Sequence, residues 1–191
     1  MTIGQIGQLV GFVAAAALAV SFQCRRERTI ALFWTVSSAL FVVHYALLGQ
    51  LSGAVMEGAL LLRNLLVLSR RPWVLRRTTM VVLLVLIGGL SLLSWEGVFS
   101  LFPLAALVGF TLALWSDRAA VTRRTQLLVT SPAWMIYNIS VRSWAGILCE
   151  TLDIASVVAY YIRTGVQRKG VQEHGTDQEC SGGADGDRSD R

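Results

Sequence analysis

The chain has 191 residues, of which 54% are hydrophobic and 15% charged, against roughly 25% charged in an average soluble domain. That composition excludes an ordinary soluble globular domain and belongs to a membrane protein. The formal net charge of +5 does not point to nucleic acid, because basic residues beside membrane spans follow from topology, and no nucleic-acid partner is expected.

Apolar runs of about 17–25 residues can cross a bilayer core of about 30 Å as helices. In chain order, seven such runs predict an all-α polytopic membrane protein, with spans at 4–23, 29–49, 51–69, 78–95, 98–116, 125–141 and 143–162. The first run has no basic residue before it and exceeds a signal-peptide core in length, so it is expected to remain as a helix. Pro132, Tyr137, Asn138 and Arg142 interrupt the last two. Beyond about Gly165 the chain reads "QRKGVQEHGTDQECSGGADGDRSDR", which has almost nothing to bury and predicts a disordered tail over 165–191. Cys24, Cys149 and Cys180 are too scattered for a disulfide framework and lack metal-ligand spacing, so no metal and no cofactor is expected.

The arginines give an orientation. With seven spans, Arg25, Arg26, Arg28, Arg70, Arg71, Arg76, Arg77, Arg118, Arg123 and Arg124 share one side with Arg163, Arg168 and Lys169, whereas the other side has Arg142, Glu96 and the uncharged "LGQLSG". Basic loops mark the cytoplasmic side, so the N-terminus is expected outside and the tail inside. Six or eight spans would put basic loops on both sides. Trp73 and Trp115 then fall near the inner interface, and Trp95 and Trp144 near the outer one, as in an aromatic belt.

The two halves resemble each other. "QLVGF" at 8–12 recurs as "ALVGF" at 106–110, an offset of 98 that also places Arg25 and Arg26 on Arg123 and Arg124. After a loss of five residues the offset becomes 93, which puts Ser38 on Ser131, Phe41 on Trp134, His44 on Tyr137, Gly53 on Gly146 and Glu57 on Glu150. A three-span unit ends on the side opposite its start, so one further span restores the orientation of a second copy. The segment 80–95, which has no counterpart and no ionisable residue, suits that linker. The expected organisation is a first repeat over 1–70, a basic loop and linker helix over 71–97, and a second repeat over 98–164. This 3+1+3 plan with parallel repeats occurs among transporters.

These residues resemble a known family. Over its first 165 residues the chain is similar to the bacterial inner-membrane YgjV family, and more distantly to the SWEET and PQ-loop superfamily of sugar and small-solute transporters. "SFQCRRERTIALFW" at 21–34 looks like the end of that superfamily's first helix and its basic loop, and "HYALLGQLSGAVMEG" at 44–58 like its second turn and third helix. The resemblance implies an inner-membrane protein with a pore between two three-helix bundles that opens alternately to each side. SWEET-type repeats use a proline in their first helix as part of a hinge; here Gln23 stands in that stretch, and Pro132 matches a helix-breaking position. Those transporters also place an asparagine toward the substrate in the third and last helices. Asn64 lies near the first of these positions, Glu57 can equally take that role, and the last helix of the second unit has no asparagine.

Glu57 and Glu150 lie about six residues from the outer turn, or roughly 9 Å at 1.5 Å per residue. A charge at such depth costs on the order of 2.5–3.5 kcal/mol, so acids there usually face a cavity or a partner. Two readings follow: a carboxylate pair flanking a pore, able to bind a cationic or hydroxylated solute or to carry a proton, or two acids bonded to structural groups at the bundle seam. Their recurrence in both units favours the first. Asp153, one turn from Glu150, can share its face. Arg63 is close enough to the inner end of its helix to snorkel, and the alternative is a counter-ion for Glu57. His44, Tyr137 and Asn138, with Tyr45 and Trp134, are packing residues or members of a polar path.

The function expected is a transporter or facilitator of a small polar solute, with proton coupling as one option. The alternative is a non-transporting inner-membrane protein that binds a ligand or partner. Without a nucleotide-binding loop or a nucleophile–base pair, neither ATP coupling nor an enzyme is expected. Two units in one chain suffice for a pore, and a homo-oligomer stays open.

Overall fold

In hydrocarbon every backbone N–H and C=O must be satisfied within its own segment, so apolar runs of this length become helices. The computed structural model describes residues 2–21, 24, 26–69, 71–74, 76–116 and 118–182. Its elements are α1 (Ile3–Ser21), α2 (Glu27–Leu47), α3 (Leu51–Leu68), α4 (Arg77–Leu93), a 3-10 turn (Val98–Ser100) opening into α5 (Leu101–Leu114), α6 (Ala119–Thr125), a π turn (Gln126–Thr130), α7 (Ser131–Ser140) and α8 (Trp144–Gly182). Since α6, the π turn and α7 are contiguous, all seven predicted segments are helical.

Four helical spans have the length and hydropathy to cross a bilayer: Ile3–Ser21, Arg28–Leu47, Leu51–Leu68 and Trp144–Arg163. Arg77–Leu93 and Val98–Leu114 are apolar but shorter. Large apolar side chains such as Val82, Val85, Leu92 and Leu93 are exposed, as lipid-facing residues are.

Residues 1–154 form one compact body, and 155–191 belong to a second unit, which among the described residues is the remainder of α8. Helix continues to Gly182 where composition predicts a disordered tail from 165. The physical reason is local. The segment has no proline, so nothing sterically stops a helix already nucleated from extending, and it does so without the cost of a new nucleus. Gln23 and the tail beyond Gly182 lie outside the described residues.

Within the body, α1 packs on α2, α2 on α3, α3 on α4 and α5, and α5 on the π turn and α7. The core is unusually aromatic: Phe41, Tyr45, Trp134 and Tyr137 gather with Met56, Ile87 and Leu107. Tyr45 stacks on Phe41 and on Trp134, with ring centroids 6.1 and 6.0 Å apart.

Pro132 explains the π turn. It has no N–H to donate, and its ring crowds the carbonyl four residues earlier, that of Leu128, which belongs to the π turn. The Ser131 N–H reaches back to the carbonyl of Gln126, one residue further than an α-helix would require.

Two turns are built alike. After α2, the N–H groups of Leu48, Gly49 and Gln50 donate to the carbonyls of His44, Ala46 and Tyr45. After α7, those of Val141, Arg142 and Ser143 donate to Tyr137, Ile139 and Asn138, each position 93 residues later. Gly49 and Arg142 both adopt positive φ, at 72° and 54°. Such a conformation is free for glycine and strained for arginine.

The start of α3 has no cap of its own. Instead Glu96, from the turn after α4, accepts the N–H of Leu51 at 3.0 Å and that of Ser52 at 2.7 Å. Partial burial acts to raise its pKa, but the bonds from Ser52 and Leu51 outweigh this and hold the carboxyl below its usual range. A carboxyl lowered by folding stabilises the protein above the ordinary glutamate range, and the effect is lost as pH falls through the folded value. Glu96→Gln is therefore expected to lower stability at neutral pH by roughly 0.5–1 kcal/mol, the low end for a lost N-cap, and to flatten the acid limb of a pH–stability profile measured in detergent.

Gly53 and Gly146 are points of close approach. A Cβ on Gly53 would press on the rings of Tyr137 and Tyr45, and one on Gly146 would overlap the Asn138 amide, whereas Gly58 has open space. Thermal unfolding should show Gly53→Ala and Gly146→Ala each destabilising by roughly 1–3 kcal/mol, as overpacking does, with Gly58→Ala neutral or better.

Candidate functional site

The spacing of four in "GAVMEG" and "GILCET" places glycine and glutamate on one face of α3 and of α8. The glycines admit the rings and amide of α2 and α7, and the glutamates follow them one turn deeper. Glu57 is 8% and Glu150 9% exposed, and the Oε2 atom of each has no hydrogen-bond partner. The two carboxyls are close enough to interact electrostatically, and both act on the buried Tyr45. Polar groups buried in this way are normally bonded, so a partnerless carboxylate oxygen on each is a costly feature.

Their surroundings differ in charge. Glu57 is attracted by Arg63, whereas Glu150 is opposed by Asp153. The Ser131 hydroxyl bonds to Glu150, and the Gln126 amide donates to Asp153 Oδ2 at 3.2 Å and to Ser131 Oγ at 3.1 Å. The π turn thus supplies Gln126, and the start of α7 supplies Ser131, as neutral donors to an acidic pair. Beside them Thr130 Oγ1 is buried without a partner.

Arg63 does not snorkel. It is 3% exposed, with its guanidinium 4.8 Å from the centre of the Phe110 ring and Nη2 bonded to Asn64 Oδ1 at 3.3 Å. Asn64 in turn donates to Ser38. The snorkelling expectation fails because α5 covers this face of α3 and the aromatic ring receives the cation.

His44, Tyr137 and Asn138 sit together toward the arginine-poor end. The carbonyl of Gly7 can only accept, so His44 Nδ1 carries a proton and donates to it at 2.7 Å, while Nε2 shares a hydrogen with Ser143 Oγ at 2.7 Å. Tyr45 donates to Asn138 Oδ1 at 2.6 Å, and Tyr137 shares a hydrogen with Ser52 at 2.9 Å. These bonds lace α1, α2 and α3 to α7 and the turn after it. The histidine, with both nitrogens bonded in a fully buried site, acts as a fastener.

The structure therefore sorts the expected residues into three places. Glu57, Glu150 and Asp153 form an electrostatically linked acidic group. His44, Tyr137 and Asn138 form a bonded seam, and Asn64 stands apart with Arg63. Ser52, Ser131, Ser143 and Gln126 had no signal of their own, although Ser131 stood opposite Ser38 in the repeat. Among the described residues, no group of three or more His, Cys, Asp or Glu side chains could hold a metal ion.

Residues 5–168 match the model of the Imp-YgjV family, a bacterial inner membrane protein. The chain is similar to the inner membrane protein YgjV of Escherichia coli (strain K12), with 29% identity over 153 residues covering 80% of this chain and 78% of that protein. No solved structure matches it.

The seam can be tested pairwise. Tyr45→Phe leaves the buried Asn138 oxygen unpaired and should cost about 1–3 kcal/mol. In a double-mutant cycle with Asn138→Leu, followed by thermal unfolding in detergent, the double variant should lose less than the two singles added together.

Proposed function

The chain belongs to the YgjV family of bacterial inner membrane proteins, and we propose that it carries a small polar solute across that membrane by alternating access between two three-helix bundles. In this reading α1–α3 and α5–α8 are parallel repeats joined by α4 in a SWEET-like 3+1+3 plan. The N-terminus lies outside, the basic loops and tail lie in the cytoplasm, and Glu57 and Glu150 face the path.

The observation that carries the reading is the pair of buried glutamates at equivalent sequence positions, each with an oxygen that no protein group satisfies. A carboxylate kept buried with an open acceptor is expensive in a membrane and is usually retained for a ligand or a proton. The matching turns at an offset of 93 residues support the repeat, since three backbone bonds and a positive φ recur in register. The repulsion between Glu150 and Asp153 supports a cationic group or a proton as the relieving partner.

One observation favours the alternative, a non-transporting protein that binds a ligand or partner. The bonds joining α2 and α3 to α7 are short and fully buried, as in a fixed joint.

The deciding experiment pairs binding with transport. The purified protein is screened by thermal shift over amines, sugars, carboxylates and nucleosides at several pH values, and the stabilising class is then tested for uptake into proteoliposomes. A ligand that binds the folded state raises its apparent stability, by about 2.7 kcal/mol at a concentration one hundred times Kd. The expected result is that Glu57→Gln with Glu150→Gln abolishes both shift and uptake while the protein remains inserted and folded. Full uptake by the double variant, or none by the parent, counts against transport.

A further inference from the structure

At the basic-loop end of the body, α2, α3 and α5 border a half-open cavity of about 230 Å³. Its wall is mainly apolar, with Ile30, Trp34, Phe110 and Leu114 contributing, and its polar residues are Arg63 and Asn64. Arg63 is held there by Asn64 and Phe110, yet its Nε and Nη1 have no hydrogen-bond partner. Glu57 attracts it through charge, but Glu57 Oε2 is itself unbonded, so the guanidinium donors are not met by that acid. Asn64 does not meet them either: its oxygen accepts from Nη2 and not from Nε or Nη1, and its amide is turned to Ser38.

A guanidinium is always charged and can only donate. What satisfies it inside an apolar wall is an anionic oxygen, since bonds between ionised groups are about twice as strong as neutral ones. The adjoining space, lined by an indole, a phenyl ring and aliphatic chains, has no polar partner to offer and suits hydrocarbon. Water alone would fill this space against mostly apolar walls, where it finds few of the two to four partners it needs.

We infer that this cavity is a binding site for an amphiphilic anion, its carboxylate or phosphate head on Arg63 and a short apolar chain against Trp34, Phe110 and Leu114. The head comes either from a free acid or from a membrane lipid, and the site stands whether or not the protein transports. Trp34 serves as a built-in reporter, because it lines the cavity directly.

The test uses the full chain in a neutral maltoside detergent, with 8-bromooctanoate as the quenching probe and 8-bromooctanol as its uncharged counterpart. The acid should quench tryptophan fluorescence saturably and at least about tenfold more tightly than the alcohol, the minimum expected for one hydrogen bond to a charged group. Trp34→Phe should remove the saturable part. Arg63→Gln should remove the preference for the acid, and Ala31→Phe, which fills the cavity while leaving the arginine, should abolish saturable quenching by both. Displacement by octanoate assigns the site to free acids, and displacement by phosphatidylglycerol alone assigns it to a lipid head; either result upholds it. Equal saturation by acid and alcohol, or an acid preference retained in folded Arg63→Gln and Ala31→Phe proteins, would overturn it and leave Arg63 a hydrated structural residue.

Discussion

Polar groups buried in a membrane must find their partners within the protein, and the rest of this structure depends on how that requirement is met. Over most of the body it is met closely. Serine and threonine hydroxyls turn back to carbonyls of their own helices, as Thr35, Thr111 and Thr151 do, or cross to a neighbour, as Ser37 does to Ala14. His44, Tyr45, Ser52, Tyr137, Asn138 and Ser143 are all paired. Against that background the exceptions among the described residues are few: one oxygen each on Glu57, Glu150 and Thr130, and two nitrogens on Arg63. They fall around the acidic group and the cavity, not at the seam.

The symmetry of the sequence is kept in backbone and broken in charge. The two turns reproduce one another bond for bond, and the glycines and glutamates occupy matching positions. The offset that pairs Glu57 with Glu150, however, pairs Arg63 with Ser156 and Leu60 with Asp153. One carboxyl therefore faces a cation and the other faces an acid. A pair of equal sites would hold a solute with no preferred orientation, whereas an attracted acid and a repelled one give the centre of the body a polarity.

Hydropathy made the helices legible, because seven apolar runs separated by arginine-rich or glycine-containing turns leave the backbone little choice. The acidic centre was legible because glutamate inside such runs is rare. Other features were hidden for reasons that lie in packing. Glu96 reads as a loop acid until α3 is found to begin beside it, and Arg63 reads as a snorkelling residue until α5 is placed across its helix. The π turn needs both Pro132 and a neighbour that uses Gln126. Helix as far as Gly182 sits beside a composition with little to bury, because composition reports what a segment can bury and not whether an existing helix stops.

The distribution of bonds along the body also bears on motion. The side-chain bonds that tie α1, α2 and α3 to α7 and its following turn cluster at the arginine-poor end, from His44 to Ser143 and from Ser52 to Tyr137. Toward the basic-loop end stand Arg63, with two guanidinium nitrogens unbonded, and the cavity. If the two bundles rock against each other, the sealed end is the one that must break bonds to open, and the other needs only to admit a solute. On the transport reading this arrangement is the state closed on the arginine-poor side. The acids lie just below the closed seam, where a solute arriving from the basic side would come to rest against them.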